Sequence, residues 1–435
     1  MSVGVKPLDP SEQSVARLVL LHDSAGKVLV ILPAHSLLSL SVVWRLTGRQ
    51  LQPTSAVDAA KFFGQTPLTT AAGQRQLLKM TVMLDDHYLP DQEVALWEPH
   101  SGLRFTIQAG WLEGADYQTS LGLSGEVLQA QHSPHAGVEA ITHAVERFTA
   151  LRVKQRLEDT LGLPAFSQTT QKLLLLRSDP SADVDRLLSV IRVDPSLSAQ
   201  VMSWAVSPYY AAPGRIESVD DAVIRVLGFD LVVNLALGVA MGKVMQVPGH
   251  SVRGATPFWL QSVTMATLAE RLAKVMPAAI RPKPGLVYLS GLLNNFGYLL
   301  LAHLFPPQFS TLTRYIEANP HMPYELVEQQ VLNLTREQVG AWLLESWSIP
   351  PEVCFAVRYQ NHPEIEGDAV IYARLLHVAN CLLRQQGLCD GPLVELDPQL
   401  LEQLQLKPSV VEGCINDLIA NQDGIRELTE LLQRH

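Results

Sequence analysis

The sequence predicts an α+β chain, a mixed α/β segment followed by an all-α one. Two observations carry this. "VARLVLL" and "KVLVILPA" flank "HDSAG", two apolar runs around a turn cluster, the pattern of paired strands. From about Val138 onward the chain instead becomes a series of short helical segments punctuated by caps and stops. A third observation concerns size: 435 residues exceed one ordinary core, so two or three domains are expected.

Within the first segment, "LLSLSVVWRLTG" reads as a helix ending at Gly48, and "SAVDAAKFFG" as a second one capped by Ser55 and stopped at Gly64. "LLKMTVMLDD", "EVALWEP" and "LRFTIQAG" read as strands, and the polar "QAQHSPHAG" as a break. "VEAITHAVERFTALRVKQRLEDTLG" reads as a connecting helix with Val138, Ile141, Val145 and Phe148 on one face. Further on, Asp194 caps a helix with Pro195 in its first turn. Ser218 with Asp221, and Thr335 with Gln338, stand at capping-box spacing. Val339, Trp342 and Leu343 form an apolar stripe.

Composition excludes several classes. Hydrophobic residues make up 47% and charged residues 17%, a globular balance. A net charge of −10 argues against a nucleic-acid or anionic-membrane binder. Cys354, Cys381, Cys389 and Cys414 form no CxxC pair, and the opening "MSVGVKPLDP" carries no signal peptide, so a cytoplasmic location is expected. The apolar run "LVVNLALGVAMGKVM" is too short and polar to span a bilayer.

Some apparent motifs have plainer readings. His22-Asp23 sits in a strand turn, and Asp85, Asp86 and His87 end a strand in a solvated loop. "SVDDAVIRVLGFDLVVNLAL" has helix-turn-helix rhythm, but the second helix carries one basic residue, Lys243, and reads as buried. Arg147, Arg152, Lys154 and Arg156 alternate with acids, as on a solvated face.

One stretch resists a bland reading. "YLSGLLNNFGYLLL" is an apolar helix interrupted by Asn294 and Asn295. Asn is a mediocre helix former, and a buried amide needs several partners.

The blocks "LPAFSQTTQKLLLLRSDP", "IRVDPSLSAQVMSWAVSPYY", "IESVDDAVIRVLGFDLVVNLAL", "FWLQSVTMATLAERLA", "GLLNNFGYLLL", "REQVGAWLLESWSIPPEV" and "HVANCLL" follow in that order. Together they resemble the HDOD family, the HD-related output domain of bacterial signalling proteins. The resemblance implies an all-α bundle related to HD phosphohydrolases, and it supplies a meaning for the two asparagines. In active HD enzymes a histidine, a His-Asp dyad and a later aspartate hold a metal. Here those positions fall on Gln261, on Asn294 and Asn295, and on Asn380. Two further sites that often carry histidine appear as Arg336 and as Gln360–Asn361. Amides are neutral and weak ligands, so no stoichiometric metal and no other cofactor is expected. His362, followed by Pro363, reads as a turn residue.

"KVLVILPAHSLLSLSVVWRLTGRQLQPTSAVDAAKFFG" is similar to the YbaK/prolyl-tRNA-editing family. That resemblance implies deacylation of mischarged tRNA. However, Ala16 or Arg17 falls where the family has its functional lysine, and an arginine cannot replace a tunable lysine in proton transfer. The family's Gly-rich Ser-Pro loop is replaced by "FGQTPLTTAAGQ", in which Pro67 and Gly73 are the shared features.

The expected organisation is an editing-like α/β domain over 1–128, a linker and connecting helix over 129–162, an HD-like helical bundle over 163–385 and C-terminal helices over 386–435 closing it. The expected function is non-catalytic regulation through a protein partner or a small signalling ligand, without nucleic acid or membrane. Homo-oligomerisation is left open. The alternative is an aminoacyl-tRNA deacylase controlled by the helical domain. An HD phosphohydrolase with non-standard ligands ranks third.

Overall fold

The computed structural model describes residues 15–148 and 167–433, apart from short breaks at 66–67, 69, 89–92, 109, 111, 114, 126–133, 180, 211–214, 245–246 and 250. Strands β1 (Val15–Asp23) and β2 (Gly26–Pro33) pair antiparallel, with Val19 opposite Val30. The turn between them is held by Asp23, whose Oδ1 accepts from the backbone of Ala25 and Gly26 and whose carboxylate pairs with Arg49. His22-Asp23 is therefore a turn, as its sequence suggests.

The remaining strands are β3 (Leu37–Leu38), β4 (Gln52–Pro53), β5 (Thr81–Asp85), β6 (Val94–Glu98), β7 (Leu103–Ile107), β8 (Tyr117–Ser120) and β9 (Ser124–Gly125). The main sheet runs β7-β6-β1-β2-β5-β8, with β4 on β1, and β3 pairs with β9. Between the strands lie α1 (Leu40–Thr47), α2 (Ala56–Gln65) and α3 (Ala71–Leu77). Helix α1 ends at Gly48, whose φ of 63° is the left-handed conformation that a C-terminal glycine adopts without strain. Helix α2 continues through Gly64 to Gln65, so that glycine is no stop. A helix needs a left-handed residue or lost pairing to end, not merely a glycine.

Alternation along the strands sends side chains to two cores. Ala16, Leu18, Leu20, Leu29 and Ile31 pack with Ala59, Phe63 and Leu77 of α2 and α3. Val19, Leu21, Val28, Val30 and Leu32 face the other way and join the core of the helical part. Both faces are buried, which explains the nearly unbroken apolar runs. The two parts of the chain thus share one core.

The helices are α4 (Pro134–Phe148), α5 (Gln168–Ser178), α6 (Val184–Val193), α7 (Pro195–Ala205), α8 (Val219–Asp221, continued by a π turn over Ala222–Leu227), α9 (Phe229–Val244), α10 (Phe258–Val275), α11 (Pro284–Leu293), α12 (Phe296–Leu304), α13 (Pro306–Ala318), α14 (Tyr324–Leu332), α15 (Arg336–Ser346), α16 (Pro351–Tyr359), α17 (Val370–Gln385), α18 (Pro398–Gln403), α19 (Pro408–Ala420) and α20 (Gln422–Gln433). Asp194 and Ser218 cap α7 and α8 through their side chains, and Thr335 and Gln338 form a reciprocal capping box on α15. Trp342 and Trp347 are buried, as are residues 232–239 of α9, so the helix-turn-helix rhythm belongs to a core helix.

Helix α4 packs against α15, and its Ile141, Ala144 and Val145 are buried, whereas Val138 is exposed. The connecting helix is therefore part of the bundle over its described length; residues 149–166, including Arg152, Lys154 and Arg156, lie outside the described residues. Helices α19 and α20 pack on α10. Among the described residues one stretch, Pro284–Leu304, is long and apolar enough to cross a membrane, and 83% of its most apolar window is buried inside the bundle.

Candidate functional site

The expectation that Asn294 and Asn295 lie inside a core helix is corrected by the structure. They are the break itself: Asn294 ends α11, and Asn295 (φ −113°, ψ 17°) starts α12. Both are half-buried rather than core. At a helix break, backbone donors and acceptors lose their intrahelical partners, and the amides are presented sideways into a cavity of about 350 Å³. Gln261 from α10, Asn294 and Asn295, Arg336 at the start of α15, Gln360 and Asn361 after α16, and Asn380 from α17 all line this one cavity. Residues spread over 120 positions of sequence are brought together by the bundle.

Close helix packing fixes their placement. An added Cβ on Gly297 would lie 1.8 Å from the Arg336 carbonyl oxygen and 2.9 Å from the Gly340 amide nitrogen. On Gly291 it would lie 2.5 Å from the Ala266 Cα. Glycine alone lets α12 approach α15, and α11 approach α10, at this distance.

Gln261, Asn294, Asn295 and Gln360 are already engaged. Gln261 Nε2 donates to Asp390 Oδ2 (2.8 Å) and to the Thr256 carbonyl (2.8 Å), while its Oε1 accepts from the Asp390 amide (3.2 Å) and the Cys389 thiol (3.3 Å). Gln360 Nε2 donates to the Asn294 carbonyl at 2.9 Å, and Asn294 Nδ2 donates back to Gln360 Oε1 at 3.4 Å. Arg336 Nη1 donates to Asn295 Oδ1 at 3.2 Å. The metal of HD enzymes does not fit this donor set. The carbonyl oxygens of Gln261 and Asn295 already accept hydrogen bonds, and a guanidinium stands where a divalent ion would meet repulsion. The trio of ligand-type side chains close enough to share an ion, among the described residues, is Asp85, Asp86 and His87 in the sheet part. Even there Asp85 is fully buried rather than solvated, and its oxygens accept from the His87 and Ser124 backbone amides.

Sequence reasoning missed the charged frame. Arg336 bonds Glu328 through Nε (2.5 Å), and the Glu328 carboxylate also accepts the Arg336 backbone amide (2.8 Å). The guanidinium lies over the Tyr298 ring (5.0 Å) and the Tyr324 ring (4.9 Å). Burial pulls Arg336 down, but the Glu328 and Glu337 carboxylates outweigh it and raise its pKa, so it stays charged. Glu337, Glu325, Asp390, His377 and Arg384 also line the cavity. Burial, then the neighbouring Glu328 and Glu325, push the Glu337 carboxyl up to about 7. Glu337 Oε1 accepts from Asn361 (2.9 Å), while its Oε2 and the Asn380 Oδ1 are buried without a partner. Burial likewise raises Asp390. His362 bridges Glu325 (3.0 Å) and Glu364 (3.2 Å), a larger role than a turn residue.

Glu337 makes stability depend on pH. Its pKa is raised on folding from 4.5 to about 7. The stabilising contribution is full below pH 4.5 and is lost as pH rises through about 7, a difference of about 3 kcal/mol. Glu337→Gln is expected to flatten this loss, so that the variant gains stability over the parent at pH 8 and little at pH 4.5. Chemical denaturation at both pH values checks it; an equal difference at the two would refute the linkage.

The sheet part places its candidates differently. Ala16 points into the core under α2 and α3. Arg17 is fully buried against the bundle: Nη1 donates to the Ala318 carbonyl (2.7 Å), and Nη2 to Asn319 Oδ1 (2.8 Å) and the Ser36 carbonyl (3.2 Å). Burial pulls it down to about 9. Asn319 Oδ1 also accepts the Leu38 amide at 2.7 Å. Gly73 is not in a loop; it lies in the first turn of α3, its amide bonded to Thr70 Oγ1. Pro67 lies outside the described residues. The walls of the cavity are tied to the sheet as well, since Arg253 donates to the Pro53 carbonyl and pairs with Glu317.

Residues 163–363 match the HDOD domain. Over its full length it is 34% identical to a protein from Marinobacter aquaeolei VT8, provisionally named a signal transduction protein; 97% of that chain is covered, with a TM-score of 0.88. The sheet part is therefore shared with that protein. An HDOD domain protein of unknown function from Geobacter sulfurreducens is 20% identical, covering 68% of this chain and 98% of the other, with a TM-score of 0.50. A structure from Shewanella amazonensis SB2B named for phosphohydrolase activity is 22% identical over 67% of this chain and 99% of its own, with a TM-score of 0.49. An uncharacterized protein of Treponema pallidum (strain Nichols) is 23% identical over 215 residues, 49% of this chain; the match spans 40% of that relative's length.

Proposed function

We propose that the chain is a non-catalytic bacterial signal-transduction protein whose helical domain binds a small ligand in the cavity at the helix break. The observation that carries this reading is the convergence of Gln261, Asn294, Asn295 and Asn380 on one cavity in which the first three amides are bonded to neighbouring side chains and to Arg336. A water molecule activated by a metal is the chemistry of HD hydrolysis, and this donor set does not supply it. The cavity nevertheless keeps the volume and the convergent polar groups of a ligand site.

The sheet domain is read as an editing-like fold that has lost its chemistry. Burial of Arg17 at the junction with the bundle supports this, because a side chain donating three bonds there is unavailable to a substrate. The same bonds disfavour the deacylase alternative. The domain's place in the reading is structural: it is bonded to the bundle through Arg253 and Asn319.

The test has two parts. Full-length protein purified without chelator is analysed for iron, manganese, nickel and zinc, and then assayed on bis(p-nitrophenyl) phosphate with each metal added. Well under one equivalent of metal and no turnover are expected. Native mass spectrometry then compares the parent with Asn295→Leu, and a bound small molecule retained by the parent alone is expected. One tightly held metal equivalent with turnover would overturn the reading.

A further inference from the structure

The charges around the cavity are unevenly matched, and the mismatch specifies a ligand class. Three carboxylates line the cavity, Glu325, Glu337 and Asp390, with Glu328 directly behind Arg336. Glu328 has Arg336 as its own cation. Glu325 has His362 at 3.0 Å. Asp390 accepts the Thr256 amide (3.0 Å) and Gln261 Nε2 (2.8 Å), and the second guanidinium of the lining, Arg384, donates to the Pro392 carbonyl (3.4 Å). Glu337 is left over. It is 8% exposed, one oxygen accepts a neutral amide, and the other accepts nothing. Asn380, also 8% exposed, offers a second orphaned acceptor, Oδ1.

A buried polar atom without a partner is costly, and such atoms call for explanation. Two unfilled acceptors, one of them on a carboxylate, are complementary to N–H donors carrying positive charge. Arg336 cannot fill this role, since its guanidinium is held between Tyr298 and Tyr324 and committed to Glu328 and Asn295. His377 has its Nδ1 engaged on the Gln360 carbonyl at 3.0 Å.

We propose that the cavity binds a small organic cation, an amidinium, guanidinium or primary ammonium compound, with its N–H groups on Glu337 Oε2 and Asn380 Oδ1. The proposal rests on the reading of the cavity as a ligand site and names the ligand's class. The charge of Glu337 is what attracts the cation, so binding strengthens as Glu337 ionises. It is weaker at pH 6 than at pH 8 by about tenfold, the change in the ionised fraction of a group that titrates near 7. His362 acts in the same direction: protonated at low pH, it adds positive charge beside Glu325.

Agmatine, benzamidine and putrescine serve as cationic probes, and guanosine triphosphate and pyrophosphate as anionic ones. Each is titrated calorimetrically into the full-length protein at matched ionic strength. Saturable binding of at least one cation at pH 8 is expected, about tenfold weaker at pH 6 and at least tenfold weaker in Glu337→Gln. Asn380→Leu should weaken it several-fold. Circular dichroism confirms that both variants fold. Failure of all three cations to bind, or binding unchanged in Glu337→Gln, would overturn the cation. If an anion binds instead and is lost in Asn295→Leu, the cation is wrong and the ligand-site reading survives. If neither panel binds and no small molecule copurifies, both fall.

Discussion

Arg336→Leu is expected to destabilise the protein by about 3–5 kcal/mol at pH 8. Glu328 is fully buried, and burial pushes its carboxyl above the ordinary range; the charge of Arg336, its backbone amide and its side-chain bonds pull it back. Removing the guanidinium leaves a buried carboxylate with a backbone amide and no counter-charge, the situation in which broken buried ion pairs cost most. The tyrosine faces of Tyr298 and Tyr324 lose their packed cation as well. Because an unpaired Glu328 can take up a proton, the loss should shrink toward pH 5. The double variant Arg336→Leu, Glu328→Leu should recover much of the stability, since replacing both partners with apolar groups removes the unpaired charge. Urea unfolding of the three proteins at both pH values measures this. A single-variant cost below about 1 kcal/mol, or no recovery in the double variant, would mean that the pair does not hold α14 and α15 together as described.

Gly297→Ala is the second large effect. In an ordinary helix interior the change would gain about 0.5–1 kcal/mol. Here the new Cβ would sit 1.8 Å from the Arg336 carbonyl oxygen, which belongs to backbone and cannot swing aside. Helices α12 and α15 must separate, opening the core between them, for a net loss of about 3 kcal/mol. The separation also carries Asn295 away from Arg336, so ligand binding should fall with stability. Gly340→Ala is the internal control: its nearest neighbours, the Gly297 amide and Cα, lie at 3.1 and 3.3 Å, so a smaller loss is expected. Thermal unfolding of the two variants that showed equal losses would contradict the asymmetry of this contact.

The sequence by itself determined the local features. The hairpin of β1 and β2, the caps at Asp194, Ser218 and Thr335, and the buried character of α9 follow from periodicity and turn chemistry within about ten residues. The order of motif blocks also pointed to the HDOD domain and singled out Gln261, Asn294, Asn295, Arg336, Gln360, Asn361 and Asn380, which the bundle gathers around one cavity. What tertiary structure decided is everything that depends on elements distant in sequence. Whether Asn294 and Asn295 continue a helix or break it is settled by the α10 and α15 backbones packed against Gly291 and Gly297, not by the propensity of asparagine. Arg17 could be read as a lost catalytic group; alternation turns it toward the bundle, and Ala318 and Asn319, three hundred residues later, give it its partners. Glu328, Glu337 and Asp390 are not singled out in the sequence. Their burial comes from helices that fold over them, and burial is what makes a carboxylate's charge and its unfilled oxygen matter.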